Sequence, residues 1–88
     1  MGMSIVANKF AGITAACVES VFAAKMCKAI NDANVLTLGA MILGEAMALH
    51  MVDAWLATAF TEGLEAHAAF LREAVRQVAQ TDAANRAK

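Results

Sequence analysis

Proline and tyrosine are both absent from this 88-residue chain, and aromatic residues of every kind amount to 6% of it. Alanine is abundant instead, a composition that favours helices with some buried strand. Cysteine is scarce: Cys17 and Cys27 are too few and too irregularly placed for a disulfide framework or a zinc site. Both stand among apolar neighbours, so they read as buried reduced thiols of a cytoplasmic protein. Charge is scarce as well. The net charge is −1 and the seven basic residues are scattered, so the basic patch that nucleic acid requires is missing. A secretory leader is not expected, because Lys9 interrupts the first apolar stretch. Nor is there an uncharged run long enough to span a bilayer. The best stretch, 35–60, would bury Glu45 and Asp53 in hydrocarbon at about 2.5–3.5 kcal/mol for a central acidic residue, and Gly39 and Gly44 divide it.

What is present is apolar surface, 60% of the residues with mean hydropathy +0.55. A chain of this size has a poor ratio of core to surface, so much of that surface should be buried against something else. Residues 4–10 read as a short helix that Ala11-Gly12 ends. Residues 13–18 read as a short strand buried on both faces. Ser20 is the expected N-cap of a helix over 21–30, and Asn31-Asp32-Ala33-Asn34 breaks that helix with turn-forming side chains. Residues 35–38 form a second buried strand, with Gly39-Ala40 at its carboxyl end. A helix over 44–60 is apolar around most of its circumference, its polar residues confined to Glu45, His50, Asp53 and Thr58. Thr61-Glu62-Gly63 makes a hinge. The last helix, 64–80, carries Leu64, Ala68, Leu71, Val75 and Val78 as a seam for a partner helix, and the tail 81–88 should fray.

Short apolar strands alternating with helices imply an α/β fold with a parallel sheet and helices on both faces. Two strands alone leave both sheet edges open, so the sheet is expected to be completed by further sequence or by another chain, with the chain not a monomer. Among polar residues, His50 and Asp53 fit a proton-relay pair or, more simply, an exposed stripe. His67 with Glu62 or Glu65 lacks the further ligands of a metal site, and no metal or cofactor is expected. The six methionines fit core and interface gaps.

One set of motifs is more specific than any of this. Gly2-Met3-Ser4, Ala7-Asn8-Lys9, Gly12-Ile13, Ala15-Ala16-Cys17, the run Asn31–Ala40, Leu43-Gly44-Glu45 and Val52–Leu56 occur in an order and spacing that resembles the type B ribose-5-phosphate isomerases. That family includes the galactose-6-phosphate isomerase subunits, and the likeness covers residues 2–60. The resemblance implies the carboxyl-terminal half of a doubly wound, Rossmann-like domain over 1–62. An oligomerisation helix over 63–80 would pack on a partner subunit, followed by a polar tail over 81–88. It implies aldose–ketose isomerisation of a phosphorylated sugar through an enediolate, in the cytoplasm, at the carboxyl ends of the strands and across a dimer interface. Gly2 and Ser4 would inherit the anion hole, and Asn31 a contact with substrate.

The departures from that family are equally definite. Its catalytic Cys-Gly-Thr-Gly loop would lie immediately before Met1, and its Asp-His pair earlier still, so the chain is expected to be truncated and inactive alone. Cys17 and Cys27 stand in no glycine-rich loop and cannot replace the base. Ile30 occupies the position where many members have a ring-opening histidine, so ring opening would need another group or an open-chain substrate. Met41 and Thr14 replace arginines, and of a phosphate-holding cluster only His67 and Arg72 remain. A non-catalytic oligomerisation module derived from the family is the competing reading, and a free-standing small helical oligomer the third.

Overall fold

The computed structural model describes residues 1–87, and in it helices flank a two-stranded parallel sheet. In chain order the elements are α1 (Gly2–Ala7), β1 (Ala15–Val18), α2 (Val21–Asn31), β2 (Val35–Leu38), α3 (Glu45–Ala57), a 3-10 turn (Glu65–His67) and α4 (Ala68–Arg86). Ala15 pairs with Val35 and Val18 with Leu38, so the two strands run in step from their first residues. The expected α/β class and β2 stand as read, and β1 begins two residues later than expected.

That shortening has a visible cause. The Asn34 side chain accepts from the Thr14 amide at 2.8 Å and donates to the Gly12 carbonyl at 2.8 Å, holding 12–14 in a loop. The Asn8 side chain likewise accepts from the Ala15 amide and donates to the Ala15 carbonyl at 2.7 and 2.9 Å. A side chain that replaces a neighbouring strand's hydrogen bonds in this way ends α1 at Ala7, short of the expected Phe10.

Ser20 caps α2 as expected, accepting from the Ala23 amide at 3.0 Å, and Asp32 stops it in the left-handed conformation (φ 52°). Gly44 caps α3, which ends at Thr58, where the hydroxyl donates to the Ala54 carbonyl at 2.7 Å and the backbone turns extended. The tail expected to fray is helical to Arg86. No glycine or proline follows Gly63 to stop it, and Arg86 pairs with Asp82 at 2.9 Å one turn away. Lys88, the end of that tail, lies outside the described residues.

The core is small: Val18, Ala24, Cys27, Ala33 and Met51, with Leu36, Leu38, Leu43 and Trp55 packed partly against it. Neither strand is buried on both faces as expected. All of β2 is half-buried, and on β1 Cys17 is exposed, correcting its assignment as a buried thiol. The physical reason is thinness. The molecule measures 41 × 33 × 14 Å. It exposes 5956 Å², against about 4,900 Å² for a compact monomer of its mass. The excess is apolar to a large degree: Met1, Met3, Ile5, Val6, Phe10, Met41, Ile42, Leu49 and Leu56 are all more than half exposed. No helix among the described residues is long and apolar enough to cross a membrane.

Candidate functional site

In an open parallel sheet, ligands bind beyond the carboxyl ends of the strands. Here that edge is made by Glu19-Ser20 after β1 and by Gly39-Ala40-Met41-Ile42 after β2. The Gly39 carbonyl accepts from the Ile42 and Leu43 amides at 3.0 Å, folding the second segment into a tight turn that leaves Met41 wholly exposed. Neither 15–24 nor 35–47 contains a lysine, arginine or histidine; Glu19 and Glu45 are their ionisable acids. An anionic substrate at this edge therefore needs donors from elsewhere, either backbone amides or another segment or chain.

The candidate donors lie at the first turn of α1. The Met1 carbonyl accepts from the amides of Ser4 and Ile5 at 3.0 and 3.1 Å, and from the Ser4 hydroxyl at 2.7 Å. The Ser4 proton is thus used locally, while its oxygen is left to accept. The other end of α1 is tied through Asn8 to the start of β1. Asn31 stands elsewhere, in the last residue of α2, exposed and just ahead of the amino end of β2. Its corner is braced: the Ala29 carbonyl accepts from the Thr61 amide at 2.9 Å, and the Asp32 amide donates to the Lys28 carbonyl at 3.0 Å. No hydrogen bond or shared cavity brings Asn31 together with Gly2 or Ser4.

A groove of about 590 Å³ lies on the amino side of the sheet, between the 11–14 loop and the far half of α4. Its charged lining residues are Asp82 and Arg86, already paired with each other, and the Asn8 amide on its wall is satisfied. Among the described residues that line it there is no free cation for an anionic ligand.

The remaining ionisable groups do not gather into a second site. His50 and Asp53 are exposed and share no hydrogen bond, which matches the polar-stripe reading. No group of three or more His, Cys, Asp or Glu among the described residues is placed to hold a metal ion. Cys27 is buried, its thiol donating to the Ala24 carbonyl at 3.2 Å. Burial pushes that thiol up from its ordinary value, against the opposing pull of the Trp55 N–H and the Lys28 charge. Lys28 lies 4.7 Å over the Trp55 ring, a cation–π contact that covers the same corner of the core. Cys27 is therefore walled in, and Cys17 sits mid-strand beside Thr37, away from any anion hole. Sequence reasoning missed Asn8 and Asn34 as the side chains that fix the sheet's amino edge. The signal was present, asparagines one residue before β2 and seven before β1, where an amide can both donate and accept.

Comparison with known proteins places these features. The model of the ribose/galactose isomerase family matches residues 1–73, beyond the 2–60 read from motifs. A 4-deoxy-4-sulfo-D-erythrose isomerase of Clostridium sp. (strain MSTE9) is 55% identical over 74% of this chain and 41% of its own length. The ribose-5-phosphate isomerase B of Escherichia coli is 41% identical over 72% of this chain and 42% of its own. The solved ribose-5-phosphate isomerase B of Clostridium thermocellum superposes with a TM-score of 0.85 at 34% identity, over 97% of this chain and 53% of that one. The chain spans about two fifths of the length of the two curated relatives.

Proposed function

Because the chain belongs to the ribose/galactose isomerase family, we propose that it forms the carboxyl-terminal part of an aldose–ketose isomerase for a short sugar bearing a terminal phosphate or sulfonate. What carries this reading is the 55% identity to the sulfo-tetrose isomerase over 74% of the chain. The reaction moves a proton between the two carbons next to the sugar's carbonyl end. A base takes the proton from C2, an enediolate forms and the proton is returned to C1, while the O2 hydroxyl proton passes to O1 as the C2 carbonyl forms. Backbone amides at the first turn of α1, those of Gly2 and Met3 rather than the Ser4 amide already given to the Met1 carbonyl, stabilise the oxyanion, and Asn31 orients the substrate. Asn31 precedes the amino end of β2, and Gly2 and Ser4 share no hydrogen bond with it. The site accordingly takes Asn31 from one copy and the α1 turn from another, in a cytoplasmic homo-oligomer. The base and the phosphate or sulfonate clamp come from a completing segment or chain that also covers the apolar excess of this thin fold.

The test follows the C2 proton of ribose 5-phosphate and of a C4-substituted aldotetrose by NMR in D2O. The isolated 88-residue chain is expected to exchange neither. The chain joined to a family amino-terminal half, with its Cys-Gly-Thr-Gly loop, is expected to exchange at least one. Exchange by the isolated chain would overturn the external base. Silence in the completed form would favour the second reading, a non-catalytic oligomerisation module, to which the two open edges of the β1–β2 sheet already point.

A further inference from the structure

We propose that Thr61 is a positioning residue: its strained backbone supplies the hydrogen bond that fixes the end of α2, and through it the exposed amide of Asn31. This rests on the isomerase reading above, in which Asn31 orients the substrate. The need lies at the carboxyl end of α2. The last four carbonyls of a helix have no partner within it. Here the Asp32 amide serves the Lys28 carbonyl at 3.0 Å. The Ala33 amide, which would reach Ala29 in a longer helix, turns back to the Cys27 carbonyl at 3.1 Å. Ala29 is fully buried, so water does not replace the missing donor. The Thr61 amide replaces it, at 2.9 Å and from a loop beyond α3.

Delivering that amide strains the donor. Among the described residues, Asp32 and Thr61 are the non-glycines in the left-handed region. Aspartate tolerates it, but a β-branched side chain at φ 67° is an outlier. Two residues on, where the same turn again needs a positive φ, the chain has Gly63 (φ 76°). Glycine at 61 would relieve the backbone in the same way, yet threonine stands there. What threonine adds is stiffness, since glycine enters this conformation easily and leaves it as easily. The turn is also pinned on both sides. The Thr61 carbonyl accepts from the Leu64 amide at 2.8 Å, and the Ala59 carbonyl from the Glu62 amide at 3.1 Å. At the other end of the bracket, the Asn31 side chain is exposed and makes no hydrogen bond among the described residues. Asn8 and Asn34, by contrast, engage both ends of their amides with backbone. A free amide on a corner held by a strained turn is an arrangement that favours placement over stability.

The experiment uses the native polypeptide at full length, or the complex that completes it, with ribose 5-phosphate and a C4-phosphorylated aldotetrose as substrates. Thr61→Gly, Asn31→Ala and the double variant are compared in turnover and in urea unfolding. Thr61→Gly is expected to keep or raise the unfolding midpoint, because the strain is relieved and the amide remains. Its kcat is expected to fall about tenfold with KM changed less than about twofold, a smaller loss than the roughly 10²-fold that a misplacement of about 1 Å costs. In the Asn31→Ala background the same substitution should change kcat by less than about twofold, because the group it positions is gone. An unchanged kcat in Thr61→Gly, or an equal loss with and without Asn31, overturns the positioning role and leaves the isomerase reading standing. A loss of kcat that comes with a lowered midpoint overturns it too, and makes Thr61 a structural residue only. Full turnover by Asn31→Ala removes Asn31 from the site and this proposal with it. No turnover of either sugar by the native enzyme overturns the isomerase reading itself.

Discussion

The eleven residues of α2 place Ala24, Cys27 and Ala29 in the interior, and α3 fills the space beside them with Met51, the largest side chain to be fully buried. The nineteen residues of α4 bury one side chain, Leu71, and leave Phe70 and Val78 more than half exposed. What holds α4 together is mostly its own surface. Glu73 pairs with Arg76 and accepts from Gln77, the Thr81 hydroxyl donates to the Gln77 carbonyl, and Asp82 pairs with Arg86. The two regions are both helical and both alanine-rich, yet one is held by burial within the chain and the other by local contacts along its length. Helices of the second kind take most of their stability from tertiary packing that they have yet to make. If the completing segment or chain proposed above covers α4, these exposed apolar side chains are where it would pack.

The widest gap between the two regions should come from paired truncations. Met51→Ala empties a fully buried site and is expected to cost about 2–5 kcal/mol in urea unfolding, followed through Trp55, the sole tryptophan. Phe70→Ala, on an exposed position of α4, should stay within about 0.5 kcal/mol in the isolated chain. A comparable cost at Phe70 would break the comparison, because it would mean that α4 is already packed in solution.

Next in size is the asparagine pair at the amino edge of the sheet. Asn34→Ala removes two side-chain bonds that hold the 12–14 loop across the start of β1, and should cost about 1–3 kcal/mol. Asn31→Ala, three residues earlier and without such bonds, should leave stability within about 0.5 kcal/mol. If the isomerase reading holds, its effect appears in turnover by the completed enzyme. The two substitutions thus separate a residue that builds the fold from one free to serve a ligand.

Much of this was legible beforehand, and the exceptions share a cause. β2 was readable to the residue because an apolar run stood between the Asn31–Asn34 breaker and Gly39. The Ser20 cap was readable because a hydroxyl at that position satisfies an amide within its own turn. β1 was misjudged at its start because the group that interrupts it, Asn34, is twenty residues away from Thr14 in sequence. The exposure of Cys17 was misjudged for a similar reason. A four-residue apolar strand predicts burial only if layers exist to cover it, and a slab 14 Å thick has too few. Of the candidate site, the residue types were visible in the motifs. Asn31 was readable as the helix stop ahead of β2, whereas its lack of any hydrogen bond to Gly2 or Ser4 became visible only in the structure.

The cysteines sharpen the same contrast by chemistry. Cys17 should react with a thiol reagent at the rate of an open side chain, and Cys27 only on unfolding. Burial raises the Cys27 value above its ordinary 9.0, so the folded state disfavours the thiolate that the unfolded chain readily forms. The stability this provides is complete below pH 9 and is lost as pH rises through the folded value. Cys27→Ser should flatten that alkaline decline, and Cys17→Ser should not.

The smallest effect is expected on α4, at Arg76. Its guanidinium donates to the Glu73 carboxylate at 2.8 Å through Nε and holds that carboxylate below its usual range. A lowered carboxylate contributes stability above its unfolded value and loses it as pH falls through the folded one. Both side chains are about half exposed, so water and salt screen the pair. Arg76→Ala should therefore leave the unfolding midpoint of the isolated chain unresolved from wild type at physiological salt, with a difference emerging only at low ionic strength. The completed enzyme puts the same substitution to a harder use. If the Glu73–Arg76 face is covered there, removing the arginine strands a carboxylate away from water, and the cost grows well beyond that of a surface pair. If the midpoint is again unchanged, the covered side of α4 must be the other one, along Leu71, Val75 and Val78.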